Sequence, residues 1–477
     1  MGRKISYEEK TEQLIQPFID AHHFELVDVE YVKEGSDWYL RVYIDKEGGI
    51  TVDDCEVISR EFNEVLDKEN YIPDQYIFEV SSPGLLRPLK KEKDYQRSIG
   101  KLIDIKLYRA DIEMNLRTPD MAGFQLLDLQ DYPGQGTALV GVLDAFMDNK
   151  GLVAPEEWRR WCDEVVLLAE MPRYTYNEGE MLEVDLAVAD YGNRALAGDT
   201  LVWKLCHGDV TVDNGRMIIP EGRGLLDVGR INVPLATRSK ARRMDLRLEL
   251  VGTDITNSYP LWVYPAGGEL SPGDVIIASS LSDDVTKALR NGASVLLAPS
   301  RSIVDSTTVG ALFMTDYWNY RMFKTISENN NRPVSPGTMG LLINASHPAL
   351  AQFPTDYHTS WQWYGIVKNS YPLILDALND IDYRPLVQVI DNVERNHRLG
   401  LVMEFNVDKG KLLLVMADID KATSTIEGRQ LFKSLIGYMN SDGFLPSTSI
   451  SMKQLEELLT VPASSLQIDA LHNISYD

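Results

Sequence analysis

At 477 residues the chain is longer than one hydrophobic core organises, so roughly two to four domains are expected. Its 44% hydrophobic and 25% charged residues exclude global disorder, and a net charge of −24 excludes bulk attraction to nucleic acid, leaving only a local basic patch as a route to a polyanion. Three widely spaced cysteines, Cys55, Cys162 and Cys206, form neither a disulfide framework nor a metal-ligand pattern, and the start MGRKISYEEKTEQLIQPFIDAHHF has no apolar signal region.

In chain order, Leu14, Ile15, Phe18 and Ile19 share one face of a helix over about 7–21, and two alternating stretches, ELVDVEYVKE and DWYLRVYID, form a hairpin around a turn at 33–36. Thr51 caps a second helix over about 52–70, with Asp53 and Asp54 in its first turn, and 76–80 is a third strand. The pattern predicts a small α+β sandwich of three strands and two helices over 1–85.

A linking helix near 91–98 follows, and the alternation of Ile103, Ile105 and Leu107 predicts a strand at 102–108. GFQLLDLQ, DYPGQGTA and LVGVLDAFMDNKG then read as strand, loop and helix within 109–170. Regular turn signals over 171–265 indicate a β-sandwich. From 266 to 450, DVIIASSL, SVLLAPS and KLLLVMADI alternate with helices, one opened by a capping box at Ser424 and Glu427, as in a flavodoxin-like α/β domain with a parallel sheet. Residues 451–477 read as a tail. The expected class is multidomain, mixed α+β and α/β.

The densest motif is EVSSPGLLRPLKKEKDYQRSIGK. Pro83 and Gly84 make SSPG a rigid strand-end turn whose outward N–H groups suit a phosphate. Residues 87–106 carry seven basic and three acidic side chains, a net of +4, inside a segment 1–108 whose net charge is −8. Ser81, Ser82, Pro83, Gly84, Arg87, Lys90, Lys91, Lys93 and Arg97 are therefore the candidate RNA-contacting residues.

Through FELVDVEYVKEG, WYLRVYIDKEGGITVDDCEVISREF and FEVSSPGLLRPLKKEKDYQRSIGK, residues 3 to about 108 resemble the ribosome maturation factor RimP family. The resemblance implies a cytoplasmic, non-catalytic protein that assists assembly of the small (30S) ribosomal subunit, with rRNA and ribosomal proteins as partners and no cofactor or membrane. It also implies a second, Sm-like barrel, of which 86–108 would supply only a linker and a first strand.

RADIEMNLRTPDMAGFQLLDLQDYPGQGTALVGVLDAFMDNKG, together with GALFMTDYWNY, resembles the C-terminal part of Bacteroides-type family 2 glycoside hydrolases over about 110–450. That resemblance implies a last βα element of a TIM barrel, with Asp128, Gln130 and Asp131 at the strand end as a sugar-binding remnant. Asp111 and Glu113 are the substitutes on offer for the missing catalytic carboxylates, and neither lies in a strand-end acid motif. No enzyme activity is expected, and the alternative to an RNA-associated factor is an inactive carbohydrate-binding remnant. The two resemblances meet near Tyr108 to Asp111, which marks the chain as a fusion or chimera.

Weaker features have simpler readings. Gly134-Gln135-Gly136 is a turn, His22 and His23 cap a helix through their rings, and Arg238, Lys240, Arg242 and Arg243 make a solvated loop. Tyr357, Trp361, Trp363 and Tyr364 are core aromatics or, alternatively, a sugar-stacking surface.

Overall fold

The computed structural model describes residues 7–34, 37–46, 52–74, 76–81, 99–121, 123–126, 129–132, 141–267, 270–311, 320–378, 381, 383–392 and 395–462. It divides into two compact units, 1–89 and 90–477.

In the first unit, α1 (Tyr7–Ala21) precedes an antiparallel hairpin of β1 (Glu25–Glu34) and β2 (Asp37–Asp45), and α2 (Val52–Glu69) crosses over to β3 (Tyr76–Ser81), which lies parallel to β2. The layout matches the expected helix, hairpin, helix, strand order. Leu40, Val42 and Ile44 alternate on one face of β2 and meet Ile15 and Ile19 of α1 and Ile58, Phe62 and Leu66 of α2, all buried. Helix α1 ends differently from the expected ring cap: His23 adopts φ 56°, and Phe24 N–H reaches back to the Ile19 carbonyl, a Schellman closure made by the backbone. The His22 ring instead meets Glu61 at 3.0 Å.

The second unit opens on α3 (Ile99–Leu116), which replaces the expected strand at 102–108. The apolar alternation there is overridden by a helical spacing downstream: Tyr108, Ile112 and Leu116 recur every four residues and pack with Val142, Val153, Trp161, Val166 and Leu168. The helix runs unbroken through 108–111. The expected strand and helix over 123–151 are also replaced. Among the described residues this stretch is a compact loop with isolated bridges Gln130↔Leu143 and Leu143↔Asn149. The Asp144 carboxylate accepts the N–H groups of Phe146 and Asp148, and Met147 takes φ 70°, so the local side chain outcompetes a helix.

Two sheets then face each other as a sandwich. One contains β4 (Val165–Glu170), β6 (Met181–Asp190) and β9 (Gly224–Pro234). The other runs in the order β5 (Thr175–Asn177), β11 (Thr256–Tyr264), β10 (Arg242–Leu250), β7 (Thr200–His207) and β8 (Val210–Ile218). Leu167, Leu182, Val184, Leu186, Leu205, Leu246, Leu248 and Leu261 fill the space between them.

The last region is built on a mixed sheet, not the parallel one expected. β12 (Ile276–Ala278), β13 (Ser294–Leu297) and β18 (Gly410–Val415) are parallel. β17 (Leu399–Val407), β16 (Val387–Ile390) and β14 (Gly340–Ile343) continue it antiparallel. Short β15 (Leu373–Ile374) and β19 (Ser449–Ile450) pair with β17. Helices α4 (Asp283–Arg290), α5 (Tyr320–Asn329), α6 (Ile426–Met439) and α7 (Met452–Thr460) belong to this region. Helix α6 starts one residue later than expected, at a Thr425 cap that accepts Gly428 N–H; the Ser424–Glu427 box is not formed. The expected tail is partly core, because Met452, Leu455, Leu458 and Leu459 of α7 are buried. Trp262 and Tyr264 of β11 reach into the same core, and Gln362 donates to the Tyr264 hydroxyl at 2.7 Å. The boundary at 266–273 is thus a change of composition inside one packed body. None of these sheets closes into a barrel.

Candidate functional site

Of the candidate RNA-contacting residues, only Ser81 lies among those described; Ser82, Pro83, Gly84, Arg87, Lys90, Lys91, Lys93 and Arg97 lie outside them. Ser81 ends β3 opposite Tyr43, on the sheet face away from the helices. The same face carries Tyr39, Arg41, Tyr43, Ile77 and Glu79, because side chains alternate along each strand. Arg41 donates to Glu79 at 2.7 Å and covers the Tyr39 ring, with 4.6 Å to its centroid; Tyr43 donates to Glu30 at 3.3 Å. The face is thus aromatic and polar, with its guanidinium already engaged.

The proposed sugar residues do not converge. Asp128 lies outside the described residues and Gln130 is exposed. Asp131 is fully buried and pairs with Lys150, itself buried. Lys150 also donates to the Gly141 carbonyl at 2.8 Å, and Gly141 N–H donates to Asp131 at 2.9 Å. A side-chain carbon on Gly141 would overlap the Gln130 carbonyl carbon, which explains glycine there. Asp131 therefore clamps a loop and is closed to a ligand. Glu113 is equally committed: it is buried between Arg109 and Arg117, both at 2.8 Å, while Arg109 donates to Asn257 and Ser258 and Arg117 to the Ala169 carbonyl. This network docks α3 on the sandwich. Asp111 is exposed on the same helix.

The aromatic group at 357–364 splits. Trp363 is fully buried and donates to Thr355, whereas Trp361 is 42% exposed and stacks on Tyr174 at 5.6 Å; Tyr357 and Tyr364 are exposed. Among the described residues no group of three or more His, Cys, Asp or Glu side chains is arranged to hold a metal ion, and no helix is long and apolar enough to cross a membrane.

Two groupings had no sequence signal because their members are far apart in the chain. Glu178 gathers the 238–242 loop around its carboxylate, as described below. Glu404 on β17 accepts from Tyr438 of α6 at 2.9 Å and faces His347 at 3.8 Å. His347 Nδ1 accepts Ala349 N–H, so in the neutral ring Nε2 carries the proton toward Glu404. Burial raises the Glu404 pKa, opposed by the Tyr438 hydrogen bond, and burial lowers that of His347. The cluster fastens α6 to the sheet. Tyr438→Phe is expected to cost about 1.5–3 kcal/mol, the range for a hydrogen bond to a charged partner, measured by chemical denaturation at neutral pH.

Comparison with known proteins places matches on three segments. Residues 14–86 match the RimP N-terminal domain, 180–265 a domain of unknown function (DUF8488), and 276–460 another (DUF8487). The glycoside hydrolase resemblance gains no support from these last two. Among solved structures, the CARDB domain of a Pyrococcus furiosus protein in complex with di-metal ions is 13% identical, covering 21% of this chain and 94% of that one, with a TM-score of 0.17. A Listeria innocua β-glucosidase in complex with gluconolactone is 13% identical over 22% of this chain and only 16% of its own, with a TM-score of 0.17. The sporulation control protein Spo0M of Bacillus subtilis is 13% identical over 22% and 51%, with a TM-score of 0.17. What these comparisons establish for function is that the amino-terminal segment is a ribosome maturation factor-like region.

Proposed function

We propose that this chain associates with the small ribosomal subunit through its amino-terminal unit, acting as an assembly factor by binding and not by catalysis. The observation that carries the reading is the RimP N-terminal domain match at 14–86, on a unit whose hairpin, crossover helix and parallel third strand fold as that sequence pattern requires. The basic strip that follows β3 supports it: in a chain of net charge −24, Arg87, Lys90, Lys91, Lys93 and Arg97 are grouped beside a turn suited to phosphate. A cytoplasmic location follows from the same reading. The carbohydrate alternative has lost Asp131 to a buried ion pair.

Changing Arg87, Lys90 and Lys91 together to alanine should weaken binding to 16S-type rRNA and flatten the slope of log K against log salt by about 2–3 if each contacts one phosphate. Filter binding across a salt series tests this, and an unchanged slope would remove the strip from the interface.

A further inference from the structure

One end of the sandwich carries a cleft of about 420 Å³ that nothing above employs. Its floor is core: Leu205, Leu235 and Met244 are each no more than 2% exposed and belong to the space between the two sheets. Val210 and Val212 of the edge strand β8 form one apolar wall, exposed at 67% and 45%. The opposite lip is the loop from Pro234 to Arg242, which brings Arg238 and Lys240 to the opening.

That lip is held in place. The Glu178 carboxylate accepts Arg238 N–H at 2.7 Å, Ser239 N–H at 3.0 Å and the Arg242 guanidinium at 2.6 Å. Arg242 also donates to the Ala236 carbonyl, and Ser239 sits at φ 55°, a left-handed conformation that a non-glycine residue keeps only when its surroundings fix it. The four cations of this loop are therefore not alike. Arg242 is buried against Glu178 and Arg243 pairs with Asp356, whereas Arg238 and Lys240 are exposed and have no carboxylate partner among the described residues. His207 completes the rim; its Nδ1–H donates to the Arg243 carbonyl at 3.0 Å, which turns Nε2 outward.

We propose that this cleft binds a small amphipathic anion, a carboxylate bearing a hydrocarbon body. The hydrocarbon lies on Val210, Val212, Leu235 and Met244, and the carboxylate meets Arg238 and Lys240. The volume falls within the range of small-ligand sites, and an apolar chamber with a few fixed polar groups at its mouth is their usual composition. In a chain this acidic, two uncommitted cations on a pinned loop are the local exception that selects an anion.

Isothermal titration of the full chain with octanoate, octanol and acetate tests the proposal. Octanoate is expected to bind, with octanol and acetate each at least tenfold weaker because each lacks one half of the recognition. R238A/K240A, two exposed positions, should weaken octanoate at least tenfold while leaving the far-UV circular dichroism unchanged. V212D, which places a like charge on the apolar wall, should do the same. Absence of octanoate binding, equal binding of octanol, or octanoate binding indifferent to both variants would each overturn the assignment.

Discussion

Glu178→Ala is expected to destabilise the chain by about 3–5 kcal/mol, the cost of removing one partner from a buried ion pair. The glutamate side chain is 2% exposed and that of Arg242 9%, so the guanidinium would be left buried with only the Ala236 carbonyl, and the Arg238 and Ser239 amides would lose their acceptor. The pH dependence has a definite sign. Burial alone would raise the Glu178 pKa, but the hydrogen bonds from Arg238 N–H, Arg242 and Ser239 N–H prevail and hold it below the usual carboxylate value. A carboxyl lowered in the folded state contributes stability above its unfolded pKa and loses it as pH falls through the folded value. Denaturation of wild type and Glu178→Gln should therefore differ most at neutral pH and converge in acid. A difference that grows on acidification would contradict the clamp.

Lys150→Ala should have an effect of similar size, about 3–5 kcal/mol, since it strands the fully buried carboxylate of Asp131. The informative comparison is with the double variant Asp131→Leu, Lys150→Met. Replacing a buried pair by apolar side chains of similar volume is often neutral or stabilising, so the double variant should recover most of the loss. Urea titrations of the three proteins measure it. A double variant as unstable as Lys150→Ala would show that the pair does more than neutralise itself, for instance by fixing the Gly141 backbone that both groups contact.

The amino-terminal unit was legible because its determinants are local. Leu40, Val42 and Ile44 alternate within one strand, Ile58, Phe62 and Leu66 recur within one helix, and turns punctuate the boundaries. The strand-rich character of 171–265 was legible for the same reason, although β4 (Val165–Glu170), outside that range, joins one of its sheets. The stretch 99–151 was misread because its structure depends on distant partners. Arg109, Glu113 and Arg117 look like any charged helical face until Asn257, Ser258 and the Ala169 carbonyl receive them. Asp131 looks like a strand-end acid until Lys150 arrives nineteen residues later. Those two placements also bear on the seam near Tyr108. The helix crosses it continuously, and its described anchoring side chains begin at Tyr108 and Arg109 and engage the sandwich that follows. The mixed character of the last sheet was hidden because the parallel expectation rested on DVIIASSL, SVLLAPS and KLLLVMADI, whose strands do pair in parallel, whereas Leu399–Val407, almost wholly buried, pairs antiparallel with β16 and β18.

Whether the chain engages the small subunit is decided by co-sedimentation of the purified full chain with isolated small and large ribosomal subunits through sucrose gradients from low to moderate salt. Migration is expected with the small subunit only, with release as salt rises, because the contacts are basic side chains on phosphate. Equal association with both subunits, or none with the small subunit at low salt, would contradict it.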